Sequence, residues 1–365
     1  METVRIAKQT DKTAYRKLWK TCFGDSDAFC EWFFENRFVP NHCVCLETDG
    51  QFAACMQAFP YTIGIREKAV KGVMLCGVCT HPTHRKKGYM NQVFRYEMDL
   101  LRQKGYAIAV HTPAVLESYF SFGHYPVADA CYLTTEQIPQ VQPQNNVFAV
   151  TYKQWEMLYD GYVAFAKKYS GMIWRSKDDF FRKCQDYSAD GGMCKAYQNE
   201  NCFGYVFYYQ TKTEVTCVEA VGDDAAIQIV LQEILSQAEG LSFSAKLRPK
   251  TNVAFDFCKK EVKQKGVMGL VCVEMLLQIL GLQSEASFVV QDDVVAENNG
   301  CFTLDGKRSD KKPAFTIEAG RLLQVLVGYV SLQDLQEEIV VHDAKGFAEI
   351  ANALPMVDCY IVDEY

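Results

Sequence analysis

One segment constrains this chain more than any other: Val78-Cys79-Thr80-His81-Pro82-Thr83-His84-Arg85-Lys86-Lys87-Gly88-Tyr89-Met90. The β-branched, cysteine-rich run VMLCGVCT (73–80) leads into it as a strand. YMNQVFRYEMDLLRQ leaves it as a helix, with Met90, Val93, Phe94, Met98 and Leu101 on one face. Gly105 ends the helix, and YAIAVHTP (106–113) returns as a strand. Strand, loop, helix and strand in this order form a crossover, so the two strands lie parallel. The loop carries three cations, Arg85, Lys86 and Lys87, and one glycine at the helix start. A helix N-terminus presents unpaired N–H groups and a partial positive charge, and Gly88 lets the backbone approach a bulky anion. Together these make a pyrophosphate cradle. On spacing alone, a solvated basic turn is an equal alternative.

The rest of the chain surrounds this unit with more α and β. Ser26 is placed to cap a helix through SDAFCEWFFENRF, and Asp49-Gly50 stands between two alternating apolar runs as a hairpin turn. The amide- and proline-rich stretch 137–147 reads as a linker. CFGYVFYYQ and TEVTCVEAV then form a second hairpin, followed by the helix AAIQIVLQEILSQAEG. This order echoes the first half as a degenerate repeat. From about Lys265 a small α+β unit begins, with Asn299-Gly300 as a turn. The expected class is α/β in tandem with a C-terminal α+β domain, divided 1–140, 141–265 and 266–365.

Charge and composition narrow the function. Lys+Arg 38 against Asp+Glu 45 leaves a net charge of −7 over 365 residues. Nucleic-acid binding through a basic face is therefore not expected. The most apolar stretch, Gly266–Leu282, is interrupted by Glu274 and Gln278 and is too short to span a membrane. The first residues lack a signal-peptide core, so a cytoplasmic protein is expected, with its 16 cysteines as thiols. Cys76-x2-Cys79-x-His81-x2-His84 imitates zinc spacing, but an odd offset on a strand puts the two cysteines on opposite faces. No metal is expected.

The run V-x-T-x-P-x-x-R-x-x-G resembles the acyl-CoA loop of the GNAT N-acetyltransferase superfamily, and Ser118-Tyr119-Phe120-Ser121-Phe122-Gly123-His124-Tyr125-Pro126 resembles its second signature, Y-x-x-F-G-[FY]. The order of parts resembles the Eis-like acetyltransferases: a GNAT domain, a second degenerate GNAT-like domain and a sterol carrier protein-like domain. The last match rests on ENNGCFTLDG and CYIVDEY. The resemblance covers nearly the whole chain, but residues 72–126 carry it. Met90 departs from the pattern, standing where a small residue is usual.

The resemblance implies an enzyme that moves the acetyl group of acetyl-CoA directly to an amine. It implies that Val78, Cys79 and Thr80 hold pantetheine through backbone groups. Arg85, Lys86, Lys87, Gly88, Tyr89, Met90 and Asn91 would surround the pyrophosphate, while Pro113 and Ala114 border the thioester. Tyr119 falls on the general-acid tyrosine, a phenol that remains protonated at pH 7. The carboxylate of Tyr365 falls on the family's base, and Asp25 and Glu364 are candidates to attract a cationic acceptor. That acceptor could be an aminoglycoside-like polyamine, a peptide lysine or a small metabolite. The family's members are homo-oligomers, commonly hexamers. The second repeat reads Gly222-Asp223-Asp224 where the loop should be, and two carboxylates repel pyrophosphate. One site per chain is therefore expected. The rival reading is a non-catalytic acyl-CoA or lipid-binding protein.

Overall fold

The computed structural model describes residues 2–364. It forms two units: the first holds the residues up to Val127, Gly266–Cys359 and Glu364, and the second Ala128–Lys265 and Tyr360–Asp363.

The first unit opens with β1 (Thr3–Ile6), α1 (Lys12–Cys22) and α2 (Asp27–Asn36). Ser26 caps α2, its side chain accepting from the amide of Phe29 at 3.1 Å. β2 (Cys43–Thr48) and β3 (Gln51–Ile65) are joined by Asp49 (φ 52°) and Gly50 (φ 74°), the left-handed pair that an Asp-Gly hairpin turn requires. β4 (Lys68–Thr80) pairs antiparallel with β3, and β5 (Ile108–His111) pairs parallel with β4. The crossover helix is α3 (Tyr89–Gln103). Its Val93, Phe94, Met98 and Leu101 are buried with Val44, Leu46, Met56, Val73 and Leu75 of the sheet, so the 3.6-residue stripe seen in the sequence is the packed face. That face also buries Glu97, 2 % exposed, whose Oε2 has no hydrogen-bond partner.

The second unit repeats the plan. After β6 (Tyr125–Thr135) come β7 (Phe148–Val150), α4 (Glu156–Ala166), α5 (Lys177–Ala189), β8 (Met193–Gln198), β9 (Phe203–Gln210), β10 (Glu214–Gly222), α6 (Asp224–Ser236) and β11 (Ser242–Leu247). β9 and β10 are the expected hairpin, and β10 and β11 are parallel across α6, as β4 and β5 are across α3. α6 covers one apolar face of this sheet, and α4 with α5 covers the other.

The chain returns to the first unit along β12 (Lys259–Leu270), whose Val267–Leu270 pair antiparallel with β5. α7 (Val273–Leu280), β13 (Ser287–Gln291), β14 (Gly300–Thr303), β15 (Phe315–Glu318), α8 (Ala319–Val327), β16 (Val340–Val341) and α9 (Ala344–Ala353) complete the α+β part. Its sheet runs β14-β13-β15-β16. Asn299-Gly300 is not a two-residue turn: Ala296–Asn298 form a 3-10 turn, and Gly300 already begins β14.

Candidate active site

The site grows out of the place where β4 and β5 part. Their ladder runs from Gly72 opposite Ile108 to Met74 opposite Val110, and β4 then continues alone on that side to Thr80. A bulge lies in this stretch. Gln57 sits opposite Cys76 and Cys55 opposite Cys79, so β4 holds one residue more than β3. Cys76 and Cys79 therefore share a face, which corrects the opposite-face expectation drawn from their odd spacing. Gly77, at φ 58°, makes the bulge, and a Cβ there would stand 2.4 Å from the Trp19 ring. Cys79 comes within 3.6 Å of the Cys55 thiol, and the thiol of Cys22 lies 3.6 Å from the carbonyl of Thr80. Val78 and Thr80 are half-buried.

The loop folds tightly before it opens. Pro82–His84 form a 3-10 turn, and Arg85 Nε donates to the Thr80 carbonyl at 3.3 Å, drawing the loop onto its strand. Lys86 (φ 66°) and Gly88 (φ 77°) are both left-handed. Gly88 is the N-cap of α3, no side chain caps the helix there, and nothing lies within 4 Å of where its Cβ would stand. α3 thus begins without a side-chain cap next to Arg85, Lys86 and Lys87, all exposed, the setting of an anion site. Asn91 is exposed too, while Tyr89 is buried. Met90 packs against the α3 core, so its bulk is accommodated by apolar neighbours.

The opposite wall follows β5. Pro113 is half-buried and Ala114 exposed, and a 3-10 turn over Leu116–Phe122 ends at Gly123. Tyr119 lies half-buried in this turn, its ring edge-on to His111 at 4.3 Å. Burial, with a smaller contribution from Cys79, pushes its phenol up to about 12, so it is a neutral donor at pH 7. Behind it, His111 Nε2 and His124 Nδ1 are 3.0 Å apart. Burial depresses both imidazoles, His124 to about 3, so they pair as neutral rings. Their buried pairing beside Tyr119 joins residues 13 positions apart and needs the fold to be seen.

Asp25 is exposed and accepts from Trp19 Nε1 at 2.6 Å. Trp19 was not singled out in the sequence; its ring is buried among Phe23, Phe33 and Phe34 and lies over the Gly77 bulge. Glu364 is half-buried. Tyr365 lies outside the described residues. A cavity of about 590 Å³ opens elsewhere in the first unit, lined in part by Phe122, His124, Asp292, Asp293 and Glu318. It uses none of the residues 78–91, and its carboxylates disfavour an anionic cofactor. Among the described residues no three His, Cys, Asp or Glu side chains are grouped to hold a metal. At the corresponding place in the second unit, the carboxylate of Asp224 is bound by Arg248, Thr251 and the amide of Asn252, while Asp223 accepts from the amide of Phe203.

Residues 3–128 match the acetyltransferase (GNAT) domain family, and residues 273–359 match the sterol carrier protein domain family. No curated protein matches the chain. Among solved structures, a GCN5-related N-acetyltransferase from Anabaena variabilis is similar at a TM-score of 0.82 with 14 % identity. A probable N-acyltransferase from Enterococcus faecalis gives 0.81 with 15 %, and Eis1 from Mycobacterium abscessus gives 0.77 with 12 %. Each alignment covers 100 % of both chains. At these identities the likeness speaks to fold. The chain thus carries an acetyltransferase (GNAT) domain over residues 3–128 and a sterol carrier protein domain over residues 273–359, in a fold similar along its whole length to that of Eis1 from Mycobacterium abscessus.

Proposed function

We propose that the protein transfers the acetyl group of acetyl-CoA directly to an amine, at one site per chain in an N-terminal domain of residues 1–140. The observation that carries this reading is the conjunction at the parting of β4 and β5: α3 begins without a side-chain cap beside three exposed cations, and a neutral, half-buried Tyr119 lies near Cys79. The backbone of Val78, Cys79 and Thr80 would hold pantetheine. The amides from Lys86 to Asn91, with Arg85, would hold the pyrophosphate, and Pro113 and Ala114 would border the thioester. The amine nitrogen attacks the thioester carbonyl, the C–S bond breaks, and the leaving thiolate takes the Tyr119 proton. An amine of ordinary pKa near ~10 must first lose a proton. Following the family resemblance, we assign that step to the carboxylate of Tyr365, with Asp25 and Glu364 drawing the cation in.

In this reading the protein acts in the cytoplasm, residues 141–265 form a second domain without its own site, and residues 266–365 form the carrier-like domain. Chains assemble into a homo-oligomer such as a hexamer, checked by light scattering. Thiol release from acetyl-CoA across a panel of polyamines, peptide lysines and small amines tests the chemistry. Release that depends on the amine supports an enzyme. A saturable thermal shift without turnover would leave the binding-protein reading in its place.

A further inference from the structure

Tyr119 stands on a short 3-10 turn, and such a turn has poor hydrogen-bond geometry of its own. Its neighbours must therefore hold it. From one side Phe122 stacks on Phe94 of α3, ring centroids 4.2 Å apart. The chain leaves the turn through Gly123 (φ 68°), after which the amide of His124 donates back to the Tyr119 carbonyl at 3.2 Å. Whatever fixes this exit also fixes Tyr119.

The second grip comes from α8, in the same unit but in the part that matches the sterol carrier protein domain family. Glu318, the N-cap of α8, accepts from the Tyr125 hydroxyl at 3.0 and 3.1 Å. The Arg321 guanidinium lies over the Tyr125 ring at 4.2 Å and donates from Nη1 to Gln324 Oε1 at 2.9 Å. Gln324 is 3 % exposed, and its Nε2 donates to the Pro126 carbonyl at 2.6 Å. These three residues recur at every third position, so they share one face of the helix. Gly320 lets that face come close: a Cβ there would stand 2.2 Å from the Gly123 carbonyl oxygen and 2.6 Å from the Tyr125 ring. Glycine disfavours a helix, and here its place in α8 is explained by this approach. Leu322, Leu323, Val325 and Leu326 are buried, so α8 is the fixed partner and the exit of the turn is the part that yields.

We propose that Gly320 and Gln324 are positioning residues for the acetyl transfer: α8 of the carrier-like part sets the Gly123–Pro126 exit and, through it, the place of the Tyr119 hydroxyl. The role rests on the reading of Tyr119 as the general acid. Such an acid must stand within hydrogen-bond reach of the leaving sulfur, and a misplacement of about 1 Å can cost about 10²-fold in rate. Alanine at 320 forces a shift of that order, because a Cβ does not stand closer than 3.0 Å to a carbonyl oxygen.

The test uses the full chain with acetyl-CoA and spermidine, or another amine of the panel where spermidine is not turned over. Gly320→Ala should lower kcat roughly ten- to hundredfold and leave KM for acetyl-CoA within about twofold. Should that variant fold poorly, Gln324→Met keeps the side chain's length, removes its bonds to Pro126 and Arg321, and should lower kcat roughly three- to tenfold. Each change is then repeated in Tyr119→Phe. With the acidic proton gone its placement no longer matters, so each should alter the residual kcat by less than about twofold. Equal losses with and without the Tyr119 hydroxyl would make the α8 contacts structural only and overturn the positioning role. So would an unchanged kcat in both variants, while the acetyltransferase reading stands. Wild-type turnover of Tyr119→Phe itself removes the acid and the positioning role with it. No turnover with any amine in the parent protein overturns the acetyltransferase reading and the positioning role together.

Discussion

Replacing Glu97 by glutamine should flatten the pH dependence of stability on the alkaline side. Glu97 sits on the packed face of α3, and burial pushes its carboxyl from the ordinary 4.5 up to about 8. The folded state therefore keeps a proton that the unfolded chain has already released, and stability must fall as pH rises between those two values. From the linkage relation, the penalty grows from about 1 kcal/mol or less at pH 5 to a few kcal/mol at pH 8. Glutamine keeps the size and cannot ionise. Urea unfolding of both proteins at pH 5, 6, 7 and 8 isolates this group, because the other titrations cancel in the difference. The variant should gain on the parent steadily with pH, with the gap widening to a few kcal/mol by pH 8. A constant gap would mean that Glu97 is ionised or solvated in the folded protein, and the burial argument would fail.

Other outcomes follow from the candidate site. Gly88→Asp forces a side chain into left-handed backbone and sets a carboxylate among the amides of α3, so calorimetry should show acetyl-CoA binding abolished with the far-UV spectrum unchanged. Tyr119→Phe should lower kcat roughly 10²–10⁴-fold with acetyl-CoA affinity intact; wild-type turnover would make the ring a packing element. Trp19→Phe keeps an aromatic ring over the bulge but removes the donor to Asp25, so KM for a cationic acceptor should rise while KM for acetyl-CoA holds. A few residues appended after Tyr365 should cost most of the activity, and the same residues placed before Met1 should not; full activity in the first protein would exclude the terminal carboxylate as base.

The local signals were legible where the chemistry is local. The α3 segment begins and ends where its apolar spacing and its glycines put it, and Asp49-Gly50 closes the hairpin its type demands. What failed was parity. Counting from Cys76 to Cys79 assumes a regular strand, and a single inserted residue at Gly77 reverses the answer. Pairings between distant residues were equally hidden: nothing in the neighbourhood of His111 announces His124, and nothing near Asp363 announces Arg175, 188 positions earlier. Glu97 falls on the apolar stripe itself, where one carboxylate among hydrophobic residues is easily passed over in favour of the periodicity.

The ending of the β4–β5 ladder at Met74 leaves a length of β4 as an open strand edge. Beyond Met74, β4 stays paired with β3 through Leu75, Cys76, Cys79 and Thr80 around the Gly77 bulge, and among the described residues no strand pairs with its other side. An open strand edge is ordinarily an invitation to other chains, and proteins blunt it with twist, bulges and lysine. Here the edge lies inside a sheet, it is only a few residues long, Gly77 kinks it, and Arg85, Lys86 and Lys87 stand at its mouth. These features turn away a neighbouring polypeptide, so the fold needs no separate device to guard the opening.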